Sequence, residues 1–394
     1  MANPSRNKTT IKTNIKTKRK TNNDLRQIAI LQTAFLGDTL LSIPLAKYLS
    51  RRGNRLALIC RKGYGGFFVA TRLFETVIEI EKGDSLSYRE AQENLNIWWA
   101  TADTRILLSP HESPRSKMFA LGMRLKGEAT ATVGYRDRGL AVGPSLAAYT
   151  ERIARPMELP EPMRQLALLQ APTFSEHAMW TSRIAEYAAL QGLPGGRAAE
   201  GSLLEVPEWA SMGIESLASP TRDKLAILTP GSVWKTKQWT TEGFIDLGRR
   251  FVNAGREVIL TGTAEEAETC QEIAMEIGEG TRSTAGEASL LETARQIGRA
   301  EIAVVNDSGA MHLAAVTQTP VVAVFGPTVL DFGYRPWLNQ ARVIEPQMPL
   351  ACRPCGLHGS QICPIGTHIC MKGTSAEVVW SAVTSLLQAT ETAV

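Results

Sequence analysis

Along this chain, short apolar runs alternate with amphipathic stretches. Ile28-Ala29-Ile30-Leu31 is apolar at every position, the pattern of a buried strand. Phe35-Leu36-Gly37-Asp38-Thr39 follows as a turn. Leu40, Leu41, Ile43, Pro44, Leu45, Tyr48 and Leu49 then recur at helical spacing, with the proline early enough to sit in the first turns. Leu56-Ala57-Leu58-Ile59-Cys60, Thr76-Val77-Ile78-Glu79-Ile80 and Arg105-Ile106-Leu107-Leu108 predict three more strands. A helix is expected over 176–191. Residues 192–223 are rich in Gly, Pro, Ser and Ala and lack sustained periodicity, which marks a domain boundary. The alternation then resumes: strands at 225–228, 257–261, 302–305 and 321–325, helices at 241–253, 264–277 and 290–297, and a last helical stripe over 375–387. Strands alternating with helices imply βαβ units and parallel sheets. Two such domains in tandem put the expected ligand crevice between them.

The 394 residues are 44% hydrophobic and 21% charged, which is globular composition and enough chain for two cores. No apolar run is long enough to span a bilayer. The net charge of +4 hides an asymmetry. Residues 1–25 hold seven basic side chains and one acid, Asp24, for a net +6, leaving the remainder at −2. The near-neutral body argues against a nucleic-acid partner. The tail lacks the apolar segment of a signal peptide, so it reads either as a disordered extension or as a basic arm for anionic lipid or another polyanion. Without an export signal, the six cysteines suggest a reduced, cytoplasmic protein.

Several predicted strands end in residues that carry chemistry. Asp38 follows the first strand beside Gly37, either as an N-cap or as a general base. Leu228-Thr229-Pro230-Gly231-Ser232 ends a strand in small and hydroxyl residues, with Lys235, Lys237 and Trp239 just beyond. Backbone N–H groups and hydroxyls there suit phosphate oxygens, with Lys237 compensating the charge, although a solvated lysine pair is the plainer reading. No Walker A pattern is present. Asn306-Asp307-Ser308-Gly309-Ala310-Met311-His312 runs from an apolar strand into a helix whose free N–H groups, with Ser308, suit a diphosphate, or the motif is an ordinary N-cap. Gly309 permits close approach of a ligand. His312 either faces the phosphates or pairs with a carbonyl. Phe325-Gly326-Pro327-Thr328 repeats the theme. After the fourth strand come His111, Arg115, Ser116 and Lys117, a surface loop or a site for a phosphorylated sugar.

Gly37-Asp38-Thr39-Leu40, Lys237-Gln238-Trp239, the 306–315 block and Phe325-Gly326-Pro327-Thr328, in this order, resemble glycosyltransferase family 9, the ADP-heptose:lipopolysaccharide heptosyltransferases. The resemblance implies an α/β GT-B fold, two Rossmann-like domains with parallel sheets facing a central cleft. It implies an acceptor domain over 26–205, a nucleotide-sugar domain over 206–374, and a closing helix over 375–394 that crosses back to the first domain. The implied reaction is inverting transfer of heptose from ADP-heptose to a lipopolysaccharide inner-core hydroxyl. Asp38 is then the catalytic base and Lys237 the phosphate-binding lysine. Thr229, Gly231, Ser232, Asp307, Ser308, Gly309 and His312 would bind the donor, with Glu265 or Glu266 on the ribose. Gly37, Thr39, His111 and Arg115 would meet the acceptor. The implied location is the cytoplasmic face of the membrane, with peripheral membrane contact. A different sugar nucleotide or a protein acceptor is the alternative within the family. The chemistry needs no cofactor, because Lys237 and the helix N-terminus at Ser308 would stabilise the departing ADP in place of a metal.

Cys352, Cys355, Cys363 and Cys370 are too dense to ignore. They can hold a structural zinc or iron, stand as buried reduced thiols, or pair as a disulfide. Two other classes fit less well. A nicotinamide-dependent oxidoreductase needs a Gly-x-Gly-x-x-Gly turn that residues 33–38 lack. A non-catalytic metal module leaves the strand-end motifs unexplained.

Overall fold

The computed structural model describes residues 26–137, 143–190 and 206–391. The basic tail, the first part of the expected boundary segment (192–205) and the final three residues lie outside them. The described chain falls into two compact units, one of residues 26–155 and 165–182, the other of residues 156–164 and 183–391.

The first unit is built on one parallel sheet of six strands: β1 (Arg26–Leu31), β2 (Arg55–Arg61), β3 (Thr76–Ile80), β4 (Thr104–Ser109), β5 (Ala131–Tyr135) and β6 (Glu151–Ile153), in the order β3-β2-β1-β4-β5-β6. Helices cover both faces, which is why the central strands are apolar throughout rather than alternating. Ile28 lies level with Leu56 on one side and Ile106 on the other. The second unit repeats the plan with β7 (Asp223–Thr229), β8 (Glu257–Leu260), β9 (Thr281–Ser283), β10 (Ala300–Asn306), β11 (Val321–Val324) and β12 (Ala341–Ile344), in the order β12-β11-β10-β7-β8-β9. Counted from its own first strand, each sheet has the doubly wound order 3-2-1-4-5-6.

Local sequence sets the helices that hold these sheets. Thr240 caps the helix Thr241–Asn253 by accepting from Gly243 N at 3.0 Å, and Phe244, Leu247 and Phe251 turn inward at helical spacing. Ser289 and Glu292 form a capping box on Leu290–Arg299. The C-terminal helix Ala376–Glu391 buries Val379, Val383, Leu386 and Leu387 in the core of the second unit, with Phe251, Val322 and Val324.

Two local expectations are corrected. Phe35–Thr39 is not an open turn, because Leu36–Leu40 forms a short helix. The stripe from Leu40 to Leu49 is not one helix either: a second helix starts afresh at Ile43–Arg51. Pro44 has no N–H to give to the carbonyl four residues back, so the chain breaks at Leu41-Ser42 and Pro44 falls in the new first turn. Strands β5, β6, β9 and β12 carried no prediction. They lie toward the sheet edges, run only three to five residues, and Thr, Gly or Arg interrupts each apolar pattern.

Candidate functional site

In the second unit the chain leaves β7 toward β8 and leaves β10 toward β11, in opposite directions across the sheet. The carboxyl ends of β7 and β10 therefore open a crevice, the place where doubly wound sheets bind ligands. Asn306, the last residue of β10, is fully buried there and stitches the two loops together. Its Nδ2 donates to Pro230 O at 2.7 Å and to Gly231 O at 3.4 Å, and its Oδ1 accepts from Trp239 N at 3.0 Å. Three bonds from one side chain thus fix the loop that carries Gly231, Ser232 and Lys237.

Lys237 pairs with Asp307 at 2.6 Å, both largely buried. Thr328 donates to the same Asp307 oxygen at 2.6 Å. Ser308 precedes the helix Gly309–Thr317 in extended conformation, but its hydroxyl makes no capping bond. That hydroxyl is buried without a hydrogen-bond partner among the described residues, and so is Nδ1 of His312 one turn along. Buried polar atoms are rarely left unpaired, so two beside a helix N-terminus and a lysine mark a place shaped for acceptor oxygens. Burial pushes the His312 pKa down to about 4, with Asp307 pulling it up and Lys237 pulling it down, so the ring is neutral near pH 7.

The other predicted donor residues surround this centre. Thr229 is buried, its hydroxyl 2.8 Å from that of Thr261. At Gly231 a Cβ would lie 1.9 Å from Oε1 of Glu266, so the backbone there is pressed against a carboxylate. Glu266 also accepts from Thr263 N at 2.8 Å. Glu265 is fully exposed, and hydrogen bonds from its own backbone and the Thr263 hydroxyl hold its carboxyl below the usual range. Of the two acids left open for the ribose, Glu266 is the one against the Gly231 loop. The sequence reading gave no role to Asn306, Thr328 or Thr261. A polar side chain at the buried end of an apolar strand is the one signal that could have flagged Asn306.

In the first unit, Asp38 is the third residue of the helix Leu36–Leu40. The N-cap is Phe35, so the capping reading of Asp38 does not hold. Its backbone carbonyl takes the Gln165 amide at 3.4 Å, and Gln165 accepts from Ser42 at 2.6 Å. Gly37 is half-buried, and Thr39 is buried with its hydroxyl donating to Phe35 O at 3.1 Å. The exposed ring of Phe35 carries Arg61 and Lys82, each 5.4 Å from its centroid. His111, just past β4, places Nδ1 at 3.2 Å from both the Thr33 and Ser116 hydroxyls. Burial, then Lys82 and Arg155, push its pKa down to about 4. Arg115 stands exposed at the start of the helix Pro114–Leu125, while Lys117 is paired with Asp137.

All six cysteines are free thiols. Cys352, Cys355, Cys363 and Cys370 line one cavity of about 270 Å³ with His368, Thr236 and Pro327. Yet among the described residues no three His, Cys, Asp or Glu groups are placed to hold a metal ion. His368 Nε2 is instead 2.8 Å from Thr236 O. Backbone N–H groups, those of His368 and Ile365 foremost, hold the Cys363 thiol below its usual range, and burial raises that of Cys370. The loop is sewn to the lysine turn: Thr236 N donates to Ser360 O at 3.0 Å and Ser360 N to the Thr236 hydroxyl at 2.8 Å.

Residues 168–358 match the family model for glycosyltransferase family 9 (heptosyltransferase). That region contains Lys237, Asp307, Ser308 and His312, and Asp38 lies outside it. The lipooligosaccharide heptosyltransferase 2 of Campylobacter jejuni is 30% identical over 170 residues, 42% of this chain and 51% of that protein. The chain spans about half the length of these curated relatives. Among solved structures, the ADP-heptose lps heptosyltransferase II of E. coli superposes with a TM-score of 0.67 at 20% identity, covering 93% of this chain and 99% of that one. The iron-containing dodecameric glycosyltransferase TibC of enterotoxigenic E. coli gives a TM-score of 0.50 at 14% identity, covering 93% and 77%. These likenesses bear out the α/β, GT-B class of two Rossmann-like domains.

Proposed function

On the premise that this chain belongs to glycosyltransferase family 9, we propose that it transfers heptose from ADP-heptose to a sugar hydroxyl of the lipopolysaccharide inner core, with inversion. The observation that carries this reading is the pair of unpartnered buried atoms, Ser308 Oγ and His312 Nδ1, beside Lys237 at a helix N-terminus. A diphosphate supplies the oxygens that these donors lack. The C. jejuni relative, a lipooligosaccharide heptosyltransferase by name, supports the sugar and the acceptor class.

In this mechanism Asp38 accepts the proton of the acceptor hydroxyl as that oxygen bonds to the anomeric carbon. The bond from that carbon to the diphosphate breaks on the opposite face, and ADP leaves with added negative charge. Lys237, the N–H groups at Gly309 and a His312 tautomer protonated on Nδ1 stabilise that charge. Asp307 acts through Lys237: a carboxylate repels a diphosphate, but it holds the ammonium in place until the donor arrives. His111 and Arg115, with Gly37 and Thr39 shaping the backbone around Asp38, are assigned to the acceptor. An acceptor of this class is lipid-linked, so the protein would work at the cytoplasmic face of the inner membrane, without nucleic acid. A structural zinc or iron on the four loop cysteines would staple the loop without joining the chemistry, and it requires the thiols to close in around their cavity. Metal analysis of purified protein before and after chelation tests that point.

Asp38→Asn tests the base. Transfer should fall by roughly 10²–10⁴-fold while ADP-heptose binding, read by calorimetry, changes little. Full transfer by this variant overturns the assignment. A screen of ADP-, UDP- and GDP-sugars, following nucleotide release, separates heptose from other donors.

A further inference from the structure

The cysteine-rich loop presents a surface that the transfer reaction leaves unused. Val233, Met348, Leu357, Ile362, Ile365 and Ile369 are all exposed, Ile362 at 81% and Leu357 at 70%. Val233, Leu357 and Ile362 lie together, because Gln361 Nε2 donates to Val233 O at 2.8 Å and Ser360 is sewn to Thr236. Trp234, half-buried, stacks on His358 with ring centroids 6.2 Å apart and planes at 10°. Residues 346–376 contain no acidic side chain. The acids that flank the stretch, Glu345 and Glu377, are engaged by Arg353 and Arg250. Lys235 and Lys372 stand exposed in the same region.

We propose that this loop docks on the surface of an anionic bilayer. Aliphatic tips enter the boundary between headgroups and acyl chains, the two lysines reach anionic headgroups, and Trp234 lies at the interfacial level that its ring favours. The charge fits: a surface with exposed cations and no free acid over thirty residues is attracted to anionic lipid rather than repelled. A second copy of the chain fits less well. The tips are isolated aliphatics on Gly-, Pro- and Ser-rich turns, whereas subunit interfaces are flush and enriched in aromatic residues and Arg. The surface stands without the transfer reading, and its test uses neither donor nor acceptor.

The test is sedimentation of the full chain with vesicles of phosphatidylcholine containing about one third phosphatidylglycerol. At about 0.5 M salt the pull of the basic tail is screened, so remaining binding reports apolar insertion. Leu357→Asp with Ile362→Asp should lower the bound-to-free ratio at least about tenfold. Both side chains are exposed, so the melting temperature should not move. Equal vesicle binding by this variant overturns the proposal. So does wild-type protein that stays in the supernatant, or a variant whose one change is loss of self-association in lipid-free sedimentation velocity.

Discussion

Asn306 offers the sharpest test of how the donor loop is held. Asn306→Leu keeps a similar volume, so the change opens little cavity. It removes the acceptor for Trp239 N at 3.0 Å and the donor to Pro230 O at 2.7 Å. Trp239 is 3% exposed and Pro230 is buried, so water does not readily replace the lost partner. Each buried group left unpaired costs roughly 1–3 kcal/mol, and the two together roughly 2–6 kcal/mol. That is a large fraction of the ~5–15 kcal/mol that holds a typical domain. Urea unfolding of the full chain should show the loss in the transition of the second unit and leave the first unit's transition in place. ADP affinity should fall with it, because the loop bearing Gly231 and Lys237 loses its tether. Asn306→Asp is the companion variant: it keeps an acceptor for Trp239 N but turns a carboxylate on Pro230 O and Gly231 O, so it should be no milder. A loss below about 0.5 kcal/mol for Asn306→Leu would show that the loop stands by itself and that the stitching argument is wrong.

Three further outcomes are expected. His312 has a folded pKa of about 4, depressed from its ordinary 6.5, so below 6.5 the unfolded chain takes up a proton that the folded one refuses. Stability should fall as the pH drops from 6.5 toward 4, by about 1.4 kcal/mol per pH unit for this residue. His111 adds to the fall in the same direction, and His312→Gln should flatten the profile; an unchanged slope in urea midpoints refutes this account. Under native conditions a thiol reagent should modify Cys352 and Cys363 quickly, Cys370 more slowly, and spare Cys60 and Cys270, which are buried, with the Cys270 pKa pushed up to about 12. Rapid reaction of all six overturns that burial. Gly231→Ala drives a methyl group onto Glu266, which must release Thr263 N, so the turn at 263–266 should lose roughly 0.5–2 kcal/mol, read as faster amide exchange at Thr263.

Lys237→Met should reduce donor turnover by roughly 10²–10³-fold, judged by ADP release at saturating acceptor, because one aligned cation is lost from the departing diphosphate. Retained turnover would move the charge-stabilising role to another group.

Much of this protein is written locally. The central strands announce themselves because a parallel sheet covered on both faces needs unbroken apolar runs, as at Ile28-Ala29-Ile30-Leu31 and in 302–305. The helix over 241–253 is legible because its inward positions, Phe244, Leu247 and Phe251, repeat every three to four residues. The motif around Asp307 and Ser308 is legible only as a helix start, an N-cap or an anion site, and the absent Ser308 capping bond separates the two only in the folded chain. Pairing across the chain is a different matter. That Asp307 sits on Lys237 and Thr328, that Asn306 ties Pro230 to Trp239, and that Ser360 closes on Thr236 depend on strands far apart in sequence lying side by side. The order of strands in the sheet brings those ends together, and order is a property of packing, with no period or spacing in the sequence to reveal it. The short edge strands and the break before Pro44 belong to the same class: three to five residues carry too weak a local preference, and the neighbouring strand or turn decides.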